Sequence, residues 1–275
     1  MEDFSGWIGR SVTREDMVTL RLLAEYRATL EPFLFSPMDD GVCPPGFHWG
    51  LAPGLPLMAE LGLDGSEAKG LFLPPVPLSQ RMWAGGAVET FASVRLGMAV
   101  TRTATISKLK MREGRSGSLC FVSVTHDIKS GAELLVRERQ DLLFREGKTK
   151  AQAAPAPVVD VKNDVEWRLE ASAAMLFRFS AFTFNAHRVH YDLPYAMGTE
   201  DYGGLLVHGP LQAALLLNQA ATAEGRVPAR FEYRCLAPLV AGPAITVATA
   251  RDAGGTSGRI MDRRRIVTGE AAAFR

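Results

Sequence analysis

Five histidines occur in 275 residues, and three of them, His187, His190 and His208, fall within 22 positions. Histidine is the side chain whose ordinary pKa lies nearest neutrality, so it is the usual general acid or base. The first two stand in Phe182-Thr-Phe-Asn-Ala-His-Arg-Val-His-Tyr-Asp192, beside Asn185, Arg188 and Asp192. The third stands in Gly203-Gly-Leu-Leu-Val-His-Gly-Pro210. Titratable and hydrogen-bonding groups clustered in this way mark a candidate catalytic site. The plainer alternative is a set of structural histidines satisfied by backbone groups. His187-x-x-His190 offers two metal ligands. Neither an acid at metalloprotease spacing nor a nearby cysteine joins them, so no metal is expected.

His208-Gly209-Pro210 leads into an apolar run. Proline suits the first turn of a helix, where its missing N–H would be unpaired anyway. Gly209 would then present its N–H at the positive end of the helix dipole, a place to hold a developing oxyanion. A tight turn with no chemical role is the alternative.

These residues need a scaffold. Ser172 to about Phe182 and Pro210 to Thr222 read as helices, with strands at Phe231–Leu236, Ala244–Ala250, Gly258–Thr268 and near Ala272. The first half carries the same order. Thr13 followed by Asp16 resembles a capping box that opens a helix running to about Leu30. A Pro/Gly-rich stretch and a short helix at Leu57–Leu61 follow. Strands are expected at Val88–Val94, Met98–Ile106, Leu119–Ile128 and Leu134–Phe144. Gly147-Lys-Thr-Lys-Ala-Gln-Ala-Ala-Pro-Ala-Pro157 reads as a linker. The expected organisation is an N-terminal module over 1–147, a linker over 148–158 and a C-terminal module over 159–275. A helix followed by antiparallel strands, twice, is an α+β pattern. A curved sheet wrapped around one helix in each half would be a double hot dog.

Composition narrows the function classes. Hydrophobic residues make up 47% and charged residues 22%, so a sizeable core is available. A formal net charge of +1 gives no electrostatic footprint for nucleic acid. Gly203–Ala223 is interrupted by His208, Pro210, Gln212 and Asn218, too polar for a membrane span. The start lacks a basic region and an apolar run, so no secretory signal is expected. Cys43, Cys120 and Cys235 stand far apart, which fits a reducing compartment. A cytoplasmic location follows as the expectation. Gly254-Gly-Thr-Ser-Gly258 lies between strand signals and reads as a turn rather than a nucleotide loop.

Thr183–Asp192 together with Gly204–Pro210 resembles the motif pair of the type 2 hydroxyacyl-thioester dehydratases, within the MaoC-like superfamily. Gly6-Trp-Ile-Gly9, Pro44-Pro-Gly-Phe-His-Trp49, Arg81-Met-Trp-Ala-Gly-Gly86 and Gly131–Arg145 resemble the degenerate N-terminal module of the same branch. The resemblance implies a double hot-dog fold and hydration of an α,β-unsaturated acyl-CoA. The branch includes itaconyl-CoA and mesaconyl-C4-CoA hydratases. The general motif of the superfamily is Asp-x-Asn-Pro-x-His. Here Asn185 takes the aspartate position, and an amide cannot accept the proton. His190 is then the main base and acid, with Asn185 orienting water or substrate and Gly209 receiving the thioester oxygen. Asp192 or His187 is the second acid/base. Arg81, Trp83, Arg188 and His208 are the expected substrate-binding residues, the arginines for a free carboxylate. Trp49 is a candidate for the acyl tunnel, and Arg263-Arg-Arg265 for CoA phosphates or, more plainly, a solvated turn. Coenzyme A is part of the substrate, so no separate cofactor is expected. The first-half helix bears no histidine, which implies one active site per chain. A homodimer is the expected assembly. An acyl-CoA thioesterase, a fatty-acid-type dehydratase and a non-catalytic acyl-thioester-binding protein remain as alternatives.

Overall fold

The computed structural model describes residues 4–36, 41–114, 117–146 and 163–274. The linker expected over 148–158 lies outside them. Ten strands form a single sheet: β1 (Ser11–Met17), β2 (Gln80–Thr90), β3 (Ala99–Gly114), β4 (Gly117–Ser130), β5 (Glu133–Arg145), β6 (Val165–Ala171), β7 (Arg230–Cys235), β8 (Gly242–Arg251), β9 (Gly255–Met261) and β10 (Val267–Phe274). Among the described residues four α-helices accompany it: α1 (Leu20–Leu30), α2 (Ala173–Phe182), α3 (Leu193–Gly198) and α4 (Gly209–Glu224). The strand order is β1-β3-β4-β5-β2-β7-β10-β9-β8-β6, and each pairing is antiparallel. Read outward from the central β2–β7 pair, both directions give the same sequence of strands. The sheet therefore contains one five-strand pattern twice.

Helix α4 explains the second half. Twelve consecutive residues, Pro210 to Ala221, are buried. A helix buried on all sides must be apolar on all sides, which is why it shows no amphipathic stripe. It packs on β8, β9 and β10. Its polar residues are placed where partners exist. Asn218 Nδ2 donates to Pro45 O (2.8 Å) and Gln219 Nε2 to Val247 O (2.8 Å). Thr249 Oγ1 donates to Gln219 Oε1 at 2.7 Å. No helix among the described residues is long and apolar enough to cross a membrane.

Besides β2, which occupies Gln80–Thr90 where a strand was expected over Val88–Val94, the first half departs from expectation in two places. Thr13 does not cap a helix. Ser11–Met17 is a strand paired with β3, its side chains alternating in exposure, and Thr13 Oγ1 lies 2.9 Å from Thr103 Oγ1 across the pair. The cap is Thr19, whose hydroxyl accepts from Leu22 N at 3.2 Å. A Thr-x-x-acid pattern also occurs on this polar edge strand, so the spacing alone does not mark a helix start. Second, no long central helix follows α1. Leu57–Leu61 contributes only a 3-10 turn at Met58–Glu60, on the surface. Instead, residues 42–52 run buried through the core with a 3-10 turn at Phe47–Gly50. Tyr26 Oη and Asn218 Nδ2 both donate to Pro45 O, tying this segment to α1 and α4. Smaller differences follow local geometry. The strand expected over Gly258–Thr268 breaks at residues 262–266, so Arg263–Arg265 sits in a turn between β9 and β10, and Gly255–Gly258 belongs to β9.

Candidate active site

Helix α2 starts at a true cap, Ser172 Oγ accepting from Met175 N at 3.2 Å. Its end delivers the chain to the histidine segment, where Asn185 N donates to Ser180 O (2.8 Å). Asn185 Oδ1 accepts from His187 N at 3.0 Å, folding residues 185–187 into a tight turn. The Asn185 carbonyl oxygen is thereby engaged, and its Nδ2 keeps its donors. A 3-10 turn over Arg188–His190 places Val189 and His190 inward.

His190 is held from the other side. Leu206 N donates to Val189 O (2.9 Å), and residues 205–207 lie against 239–241 through Val207 N to Leu239 O and Ala241 N to Leu205 O. Leu206 O is 2.8 Å from His190 Nδ1. A carbonyl only accepts, so the ring proton sits on Nδ1 and Nε2 is the basic nitrogen. Burial pushes the His190 pKa down to about 4, with the Leu206 bond opposing and the Arg81 charge adding to the shift. His190 is therefore a neutral base at pH 7. His208 stacks on it, ring centroids 3.6 Å apart, and its Nε2 lies 2.8 Å from Ser180 Oγ.

A cavity of about 470 Å³ opens in front of these groups. His190, His187, Asn185, Gly209, Arg81, Trp83 and Trp49, all singled out in the sequence, line it. Gly209 is the first residue of α4, so its N–H has no acceptor within the helix. A Cβ there would stand 2.8 Å from the Trp83 ring, so only glycine lets the tryptophan close the wall. Trp83 is fixed in turn by donating Nε1 to Tyr233 Oη (2.8 Å). Arg81 donates to Ser66 Oγ at 2.5 Å and faces the charges of Asp64 and Glu67.

Three expected residues stand elsewhere. Arg188 and Asp192 do not line the cavity. Arg188 Nε and Nη2 both donate to Asp192 Oδ2 (2.9 and 2.8 Å), and Arg188 Nη1 donates to Leu63 O. The other Asp192 oxygen caps α3 by accepting from Tyr195 N. These bonds lower the Asp192 pKa, the backbone bond most, which suits a structural carboxylate rather than a proton carrier. His208 lies behind His190, wholly buried, and supports the ring instead of touching the cavity.

Two groups of residues were not foreseen. The loop at 62–67 docks on the histidine segment: Arg188 N donates to Asp64 O, and Asp64 Oδ2 is 3.7 Å from His187 Nε2. A Cβ on Gly65 would meet Ala186 O at 2.2 Å, so the two backbones touch. The second group is a polar row on the inner face of the first-half strands: Arg14, Arg102, His126 and Gln140, all on the cavity wall, with Glu138 behind. Its signal in the sequence was present but faint. His126, Glu138 and Gln140 occupy inward positions of alternating strands, where apolar residues are the rule.

Residues 46–241 match the hydroxyacyl-thioester dehydratase type 2 family. The mesaconyl-C(4)-CoA hydratase of Chloroflexus aurantiacus is 38% identical over 239 residues, covering 86% of this chain and 85% of that protein. Among solved structures, a MaoC-like dehydratase superposes with a TM-score of 0.72 at 14% identity, covering 99% of both chains. A double-hotdog-fold protein of Mycobacterium tuberculosis does so with a TM-score of 0.54 at 11% identity, covering 97% of this chain and 96% of the other. The fold is accordingly the double hot dog.

Proposed function

The chain belongs to the hydroxyacyl-thioester dehydratase type 2 family, and we propose that it hydrates a C5 dicarboxylyl-CoA of the mesaconyl-C4-CoA kind. Itaconyl-CoA is the neighbouring choice. The observation that carries the chemistry is the pairing, on one cavity wall, of a neutral His190 whose Nε2 is free to accept a proton with the unpaired N–H of Gly209.

The thioester oxygen accepts from Gly209 N–H at the positive end of α4, which polarises the double bond towards the β-carbon. His190 Nε2 takes a proton from water as the oxygen bonds to that carbon. The electron pair moves to the enolate held at Gly209, and its α-carbon then takes the proton from His190, which restores the neutral base. Asn185 Nδ2 donates to the water or the substrate. Trp83, Trp49 and Arg81 shape the wall, and the Arg81 charge helps keep His187 and His190 neutral. His208 and Ser180 hold the His190 ring in place. Two five-strand modules joined near 148–158, a reducing cytoplasmic setting and a homodimer complete the proposal. Light scattering checks the last.

The test is a hydration assay over mesaconyl-C4-CoA, itaconyl-CoA and crotonyl-CoA. Replacing His190 by alanine is expected to lower kcat/KM by about 10³-fold, within the range of a general acid–base group. Full activity of that variant, or release of free thiol without hydration, overturns the proposal.

A further inference from the structure

The row on the first-half strands separates two apolar clusters. On one side stand Val100, Ile128 and Val136, and on the other Ala104, Val124 and Leu142. Charged groups in such a place need partners. Arg102 is anchored by donating Nη1 to Leu51 O (3.1 Å), Nη2 to Glu138 Oε2 (3.4 Å) and Nε to His126 Nδ1 (3.1 Å). Glu138 is fully buried and also accepts from Trp49 Nε1 (2.7 Å) and Gln140 Nε2 (3.0 Å). It holds the guanidinium from behind, off the cavity wall.

Two groups of the row lack partners. Because His126 Nδ1 accepts from Arg102, the ring proton of neutral His126 sits on Nε2. That N–H is buried and makes no hydrogen bond, although the Gln140 amide lies near enough to favour the charged ring. Arg14, paired in register with Arg102, forms neither a hydrogen bond nor an ion pair among the described residues, and its charge repels that of Arg102. Around the cavity, the guanidinium groups of Arg14, Arg81 and Arg102 face a single lining carboxylate, Glu67. With Arg102 paired to Glu138 and Arg81 balanced by Asp64 and Glu67, Arg14 is the cation of the wall left without an ion pair among the described residues.

We propose that Arg14, Arg102 and the Nε2–H of His126 form the subsite for the free carboxylate of the acyl group. This rests on the hydratase assignment above and supplies what Arg188 does not, since that arginine is bound to Asp192. Arg81 is already bonded to Ser66 and balanced by Asp64 and Glu67. Gly209, Arg14, Arg102 and His126 line the same cavity, so an acyl group with its thioester oxygen at Gly209 extends into the space that the row borders.

The experiment measures the preference for mesaconyl-C4-CoA over crotonyl-CoA, as a ratio of kcat/KM, in the intact protein, Arg14→Gln and His126→Asn. Asparagine can keep an acceptor for Arg102 Nε while removing the Nε2–H. The preference is expected to fall at least tenfold in each variant, through KM rather than kcat. Binding of the unreactive pair succinyl-CoA and butyryl-CoA is measured alongside. Succinyl-CoA is expected to bind more tightly, and Arg14→Gln to remove the difference. An unchanged preference in both variants, or equal losses on both substrates, overturns the subsite while leaving the hydratase intact. If the unaltered protein hydrates neither substrate, the hydratase assignment fails, and the binding pair alone decides the subsite. Equal binding of succinyl-CoA and butyryl-CoA overturns it there. If His126→Asn does not fold, Arg14→Gln carries both measurements.

Discussion

The two halves use one strand order for different ends. In the second, α4 fills the inner face of β8, β9 and β10 and is buried from Pro210 to Ala221. In the first, no helix among the described residues takes that position, and strands β1 to β5 all contribute residues to the cavity wall, whereas β8, β9 and β10 contribute none. The groups proposed for catalysis hang from the filled half: His190 follows α2, and Gly209 starts α4. The open half supplies the room in front of them. A helix end fixes an N–H rigidly only if the helix itself is fixed, so the packed half suits the chemistry and the unpacked half suits the substrate.

Core truncation probes this contrast most strongly. Leu217→Ala empties space inside the packed half and is expected to cost about 2–5 kcal/mol, read as a lower denaturation midpoint. A loss under about 1 kcal/mol would mean that α4 is not the core of its half. Gly209→Ala pushes a Cβ against Trp83 at 2.8 Å. It is expected to lower kcat by about 10²-fold, the scale of a displaced oxyanion donor, with KM less affected. Adding volume separates the halves directly. Ala214→Leu, on α4, overpacks a closed core and should destabilise by about 1–3 kcal/mol. Ala104→Leu adds the same atoms beside the cavity. There, stability should change by under about 1 kcal/mol while KM rises. Equal destabilisation by the two would remove the distinction between a filled and an open half.

Acid probes what the halves share. Burial first of all depresses His48 to about 3 and His190 to about 4, one in each half. Unfolded histidines take up a proton near pH 6.5. Between that value and the folded pKa the unfolded chain binds more protons, so stability falls as the pH drops. The decline is expected to begin near pH 6.5 and to continue through about 4 for His190 and about 3 for His48. A Tm that stays level from pH 6.5 to 4 would show that these rings are not buried uncharged.

Much of the second half was legible in the amino-acid order because its signals are local. Ser172 caps α2, Pro210 opens α4, and the apolar run between Pro210 and Thr222 has one reading in a compact protein. Strands β1 and β6 were not legible. They are the two outermost strands of the sheet, seven residues each, and largely exposed on one side, so their composition is that of a polar loop or a helix start. The arrangement of His190, Asn185 and Gly209 around one centre followed from two short motifs. That Arg188 would turn to Asp192 did not follow, because an arginine of that reach has several partners within range and the fold selects among them.

The amino-acid order by itself determined which groups are candidates for the chemistry, since residues 183–192 and 204–210 are contiguous stretches that carry three of the five histidines. Tertiary structure alone decided their states and their surroundings. The basic nitrogen of His190 is set by Leu206 O, a contact made across 16 positions of the chain. The cavity lies where no helix among the described residues covers the inner face of the first-half sheet. Its polar row joins Arg14, Arg102, His126 and Gln140 from four strands, neighbours only through sheet register. Periodicity within one strand shows that a side chain points inward, but it carries no information about which side chain of another strand will stand beside it.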